Sequence, residues 1–374
     1  METSDSFERV KKAIHFNYPD RIPIMHAILP GAWLKYGDSL YEIVKKIPGD
    51  LASENTKLSS KRSSASGYSM SANLTKKYIY EDDFSFIEAR NFMYGPNEAP
   101  GRQQDEWDCI WEKIDPGIVG QIVSYPLADW DKWKNYRFPD TFAYWRWDNE
   151  NFLNIIKESR GMGKYIIGYG GNVFEKMQWL RGYEELMIDI CLNQDRVKAL
   201  GEKICEYVIG TVQKLAEFGV DGIEVSDDWG TQKDLMISPD LWRKIFKPYY
   251  KIIFDEIHKF GIDVHFHTDG NTISIINDLI EIGADVINPQ FSAMNLDELS
   301  RKVKNRVCIR TDIDRQYILI KSTPKEMDEY IKKIFKLMGS ERGGIMFKGE
   351  INSDCPLELV EAMYVAFEKY ARYY

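Results

Sequence analysis

From Asp148 to the C-terminus two hydrophobic rhythms take turns along the chain. Short apolar runs such as KYIIGYGG, VDGIEVS, IDVHFH, ADVIN, VCIR and GGIMFKGEI are rich in β-branched and aromatic residues and predict strands. Between them, DRVKALGEKICEYVIGTVQKLAEFG, PDLWRKIFKPYYKIIFDEIHKFG, PKEMDEYIKKIFKLMG and PLELVEAMYVAFEKYARYY predict helices. Strands alternating with helices of this length predict an α/β fold with a parallel sheet, closed as a (β/α)8 TIM barrel. Upstream, residues 4–17 predict an amphipathic helix with a capped SDSFE start, and IPIMH a first strand ending at His26. Residues 28–150 lack the rhythm. They hold a short helix, LYEIVKKI, a polar stretch, KLSSKRSSASGYS, and aromatic segments such as DEWDCIWEKI. This region is read as an irregular insertion and lid on a single domain spanning residues 1–374, with regular βα units over 151–374.

In such a barrel the chemistry sits at the C-terminal ends of the strands. Those ends carry His26, Asn172, Glu224, Asp227, Asp228, His265, His267, Asp269, Asn288, Gln290, Arg310, Asp312, Asp314, Lys348 and Glu350. Asp and Asn after a strand often cap the next helix, which accounts for Asp314 and Asn271. Capping does not account for His265 and His267, which lie within a strand. Residues two apart on a strand share a face, so His265, His267 and Asp269 can face one cavity. Two imidazoles and a carboxylate there are a candidate metal site. Asp227 and Asp228 stand side by side before Trp229, and two adjacent strand residues cannot both point inward. His26, Asn172, Asn288 and Gln290 are candidate substrate contacts. Tyr94, Trp107 and Trp229 are candidates to line a flat pocket, although an aromatic surplus more often serves the core.

Composition narrows the classes. The chain has 374 residues, a net charge of −9 and no Lys/Arg-rich run, which argues against nucleic-acid and membrane-surface partners. Its five cysteines are scattered, without a CxxC pair, so a reducing cytoplasm is expected instead of a disulfide framework. The N-terminus shows no apolar signal core and no 18-residue apolar run occurs, so a soluble intracellular protein is expected.

Several stretches carry a family likeness. DDWGTQKDLMISPDLWRKIFKPYYKI from Asp227, HTDGN, LIEIGADVINPQ, the PDRIPI opening, YPLADW and GGIMFKGEINSDCPLELVEAM are similar to the uroporphyrinogen decarboxylase superfamily. Within it, the chain resembles the cobalamin-dependent methyltransferase branch, of the O-demethylase type. Two departures matter. The arginine-rich segment that porphyrin decarboxylases use for substrate carboxylates is replaced by HAILPGAW after the first strand. The H-x-C pair that binds zinc in the thiol-methylating branch reads His267-Thr268-Asp269, and the later cysteine position falls near Gly349 and Glu350. Cys355 lies beyond that position and is read as packing.

The resemblance implies two readings. In one, zinc is retained by His267, Asp269, Glu350 and Glu224 or His265. Oxygen and nitrogen ligands make a harder Lewis acid than thiolates, suited to an ether oxygen. The chain would then move methyl from a methoxylated, aromatic donor to cob(I)alamin on a separate small corrinoid protein. His265, Asp227 and Asp228 would do the polar work. In the other, the metal is lost and the polar residues bind substrate directly. A metal-independent decarboxylase and a non-catalytic corrinoid- or tetrapyrrole-binding protein are the alternatives, and pairing into a homodimer is left open.

Overall fold

A computed structural model of the chain describes residues 6–46, 84–87, 101–114, 120–143 and 149–372. Tyr94 and the polar stretch from Lys57 to Ser69 lie outside the described residues. The strands are β1 (Ile24–Ile28), β2 (Phe84–Ile87), β3 (Gly101–Gln104), β4 (Ile110–Lys113), β5 (Gln121–Ser124), β6 (Tyr165–Gly171), β7 (Gly222–Ser226), β8 (Asp263–Thr268), β9 (Val286–Pro289), β10 (Cys308–Arg310) and β11 (Ile345–Ile351). The chain divides into two compact units. One comprises residues 1–86, 157–167 and 285–374, and the other residues 87–156 and 168–284.

In the first unit the sheet order is β1-β11-β10-β9, and the β1–β11, β11–β10 and β10–β9 pairings are all parallel. All residues of β1, β9 and β10 are buried, as expected of parallel strands covered on both faces, which therefore read as continuous apolar runs. Val10, Ile14, Met25, Tyr165, Ile167, Val286, Cys308 and Met346 form a core cluster here, with Phe7 packed against it. The N-terminal helix is Ser6–Ile14, ending three residues before the end of the 4–17 span its periodicity suggests. The helix Pro324–Met338 starts at a reciprocal cap: Thr323 accepts from the Glu326 N–H while the Glu326 carboxylate accepts from the Thr323 N–H.

β1 corrects one expectation. It continues two residues past His26, so His26 sits inside the strand, opposite Gly349, and not at its lip. Its ring is fully buried, with Nδ1 2.7 Å from the Tyr364 hydroxyl of the last helix. So enclosed, the ring packs against the last helix.

In the second unit the end of β6 from Gly168, β7 and β8 are neighbours in that order, and β7 and β8 run parallel. The helix Gln194–Phe218 precedes β7 and buries Val197, Leu200, Ile204, Val208, Val212 and Leu215, an i, i+3, i+4 stripe. It stops at Gly219, whose φ of 78° is the left-handed cap that glycine supplies without strain. β3, β4 and β5 make a separate antiparallel sheet, β3-β4-β5. Among the described residues, no helix is long and apolar enough to cross a membrane.

Candidate metal centre at the ends of β7 and β8

β7 and β8 are in register from Gly222 opposite Asp263 to Ser226 opposite His267. Both strands then end, and the backbone N–H of Asp227 donates to the His267 carbonyl at 3.0 Å. The two adjacent aspartates diverge from there. Asp227 turns inward and is fully buried. Its carboxylate accepts from the N–H groups of Val173 (2.7 Å), Phe174 (3.0 Å) and Glu175 (2.7 Å) and from the Tyr250 hydroxyl (2.7 Å). It thereby satisfies the open N–H groups at the start of the helix Phe174–Arg181 from more than fifty residues away. Burial pushes its pKa up to about 6 despite those donors. A carboxylate so fully engaged holds the helix in place. Asp227, expected as a catalytic group, is placed as the anchor of that helix start.

Asp228 points the other way. Its Oδ1 accepts from the Asp269 N–H at 2.8 Å and lies 3.9 Å from His267 Nε2, while Asp269 Oδ1 lies 3.7 Å from the same nitrogen. Each of the three side chains offers one ligand atom, all within 4.8 Å of one another, and all three are partly exposed. Ligands at about 2.1 Å in a tetrahedron stand about 3.4 Å apart, so the two His267 distances need close by only a few tenths of an ångström. One imidazole nitrogen with two carboxylate oxygens, opening to solvent, fits a zinc site that keeps free positions.

Around this trio the charge is one-sided. Glu175, in the first turn of the helix that Asp227 anchors, has its pKa raised well above the usual range. Burial is the main cause, followed by the negative charges of Asp228 and Asp227, partly offset by a hydrogen bond from Asn172 Nδ2 at 3.3 Å. Like charges crowded about a single imidazole attract a cation. Beside them, the Tyr169 hydroxyl meets Ser226 Oγ at 3.0 Å, and Ser226 is the register partner of His267.

The other expected site residues distribute as follows. His265 is fully buried two pairs before His267, opposite Glu224 on β7. Trp229 is also fully buried, stacked on Phe174 at 3.8 Å with its Nε1 donating to Tyr250. Trp107 is 1% exposed, edge-on to Tyr207 and covered by the Lys176 ammonium. Both tryptophans, expected to line a flat pocket, are placed in the core, where their rings face other rings. Asn172 is buried against Glu175. In the first unit, Asn288 and Gln290 are buried, and Glu350 accepts from Arg315 at 2.7 Å with Lys348 Nζ 3.8 Å away. Cys355 is buried, and burial pushes its thiol up to about 11, as befits packing. Glu175 and Tyr169 were missed in the sequence: one reads as an ordinary first-turn acid, the other as one more strand aromatic.

Residues 150–370 match the family model described as uroporphyrinogen decarboxylase (URO-D), and the chain belongs to that family. Among curated proteins it is similar to the methylcobamide:CoM methyltransferase MtbA of Methanosarcina mazei, 23% identical over 222 residues. It is likewise similar to MtbA of Methanosarcina acetivorans, at 22%. Each alignment covers 59% of this chain and 63% of the relative. Among solved structures, a methyltransferase from Methanosarcina mazei superposes with a TM-score of 0.65 at 13% identity, covering 98% of this chain and 99% of that one. The fold is α/β of the TIM-barrel type, as the strand–helix rhythm predicts.

Proposed function

We propose that the chain is a corrinoid-dependent methyltransferase that moves a methyl group from a methoxylated aromatic donor to cob(I)alamin on a separate small corrinoid protein. The observation that carries the reading is the Asp228–His267–Asp269 trio, in which Asp269 stands at the position that the resemblance gives to a zinc-binding cysteine. Family membership and the relatives' names support methyl transfer involving a corrinoid. Zinc held by His267, Asp228 and Asp269 would supply Lewis acidity at the donor's ether oxygen, harder than thiolate-bound zinc supplies. Glu350 and Glu224 are left out of this ligand set.

The chain's own groups do the rest. Asp228 is fixed by the Asp269 N–H, so the ligand geometry is set before a donor arrives. The Tyr169 and Ser226 hydroxyls, beside His267, orient the donor by hydrogen bonding. The methyl–oxygen bond breaks with its electron pair on oxygen, the methyl passes to the cobalt(I) of the corrinoid, and the phenolate takes a proton from water. A buried Asp227 keeps the helix start, and with it Glu175, in place throughout.

The test mixes purified protein, zinc, a methoxybenzoate and free cob(I)alamin, and follows the corrinoid absorbance. Conversion to methylcobalamin, abolished by a chelator and restored by zinc, is expected. No conversion, together with demethylation of methylcobalamin by a thiol, would reverse the direction of transfer and remove the ether donor. Carbon dioxide release from a porphyrinogen would return the chain to decarboxylation.

A further inference from the structure

Beyond the last paired residues of β7 and β8, the two following loops stay zipped together. Gly230 N donates to the Asp269 carbonyl at 3.0 Å, and Asn271 N donates to the Thr231 carbonyl at 2.7 Å. Trp229 N reaches Thr268 Oγ1 at 3.3 Å, and the Asn271 amide donates to the Lys233 carbonyl at 2.7 Å. At the crossing, backbone meets backbone with no side chain between. A Cβ on Gly230 would lie 2.3 Å from Asn271 N and 2.4 Å from the Gly270 carbonyl carbon. A Cβ on Gly270 would lie 2.1 Å from Gly230 C, and Gly270 also has a φ of 79°. Neither clash is relieved by rotating a side chain, because the atoms met are backbone.

The crossing lies between two ligand candidates. Asp228 is two residues before Gly230, Asp269 directly precedes Gly270, and Asp228 Oδ1 is held by the Asp269 N–H. We infer that Gly230 and Gly270 are positioning residues for the metal centre: their side-chain-free contact sets the spacing of Asp228 and Asp269 on either side of His267. This rests on the zinc reading above. A methyl group at the crossing forces the loops apart, so the Asp269 N–H draws away from Asp228 and the trio widens beyond ligand spacing. The Asp227 anchor sits on the strand side of the crossing and is not strained by it.

The experiment titrates zinc into the full chain against a chromophoric chelator, for wild type, Gly230→Ala and Asn271→Ala, and records the visible spectrum of the cobalt(II) forms. Gly230→Ala is expected to bind zinc about 10- to 100-fold more weakly, with a weaker visible cobalt band as ligands are lost to water. Asn271→Ala adds no atom at the crossing and deletes only the outer tie, so it stays testable if the alanine at 230 prevents folding. A few-fold loss of zinc affinity with an unchanged apo melting temperature is expected for it. A folded variant of either kind with wild-type affinity and cobalt spectrum overturns the inference while leaving the zinc reading intact. A wild type that binds no zinc overturns the zinc reading and the inference with it.

Discussion

The strand ends of the two units use the same place in a βα repeat in opposite ways. In the first unit, the side chains at the ends of β9, β10 and β11 and just beyond β10 alternate in sign and are closed off. Asn288 Oδ1 accepts from Arg310 at 3.3 Å and from Lys348 at 3.2 Å, and Arg315 bridges Asp312 at 3.6 Å and Glu350 at 2.7 Å. In the second unit, the ends of β7 and β8 gather carboxylates of one sign around a single imidazole and leave them partly open. Paired and buried charge is spent on holding the fold, and its ligands are already inside the protein. Like charge gathered in an open position is costly to the fold and is relieved by a cation. A polar strand end is therefore informative by the sign and closure of its neighbours more than by residue type.

The contrast can be broken in four ways, the largest effect first. Arg315→Met removes the guanidinium that Asp312 and Glu350 share, and Asp312 has only 2% of its side chain exposed. It should cost about 3 kcal/mol in denaturant unfolding while leaving zinc affinity unchanged. His267→Ala should do the reverse: zinc binding weakens at least about 100-fold by calorimetry, with little change in the apo melting temperature. If both variants lose both properties, the two regions are not functionally distinct.

Asp227→Asn tests the anchor. It turns an amide NH2 toward N–H donors and should destabilise by roughly 1–3 kcal/mol. The pKa of Asp227 is raised in the fold, so protonation favours the folded state. That contribution is complete below about pH 3.9, the unfolded value, and is lost as pH rises through about 6. The variant should flatten the stability profile across that window, and an unaltered profile would dismiss Asp227 as its source.

Glu175→Gln gives the smallest effect. The pKa of Glu175 is also raised, so its contribution is complete below about pH 4.3 and lost as pH rises through the raised folded value. Glutamine imitates the protonated acid. The apo variant should be more stable than wild type near neutral pH by less than about 1 kcal/mol, the gap closing toward pH 4. A gap that widens on acidification would contradict the crowding of like charge.

Much of the frame was legible in advance. After Asp148 the 3.6-residue period marks the helices and short continuous apolar runs mark the strands, because the parallel strands here are buried on both faces. His267 and Asp269 were legible because an imidazole within a strand has no capping role. What stayed hidden depends on contacts between distant segments. Asp227 and Asp228 are indistinguishable by type, and only the helix start near Val173 decides which one turns inward. Asp228 was expected as a catalytic group, and its place beside His267 follows from the Asp269 N–H, forty-one residues on. Trp107 and Trp229 looked suited to a flat ligand, but burial among Tyr207, Lys176, Phe174 and Tyr250 is a property of the packed chain.

The most direct measurement is X-ray absorption at the zinc edge of the zinc-loaded wild-type protein. The account predicts a first shell of nitrogen and oxygen alone, at about 2.0–2.2 Å, with one imidazole that disappears in His267→Ala. A sulfur contribution near 2.3 Å, or an imidazole signal that persists in that variant, would contradict it.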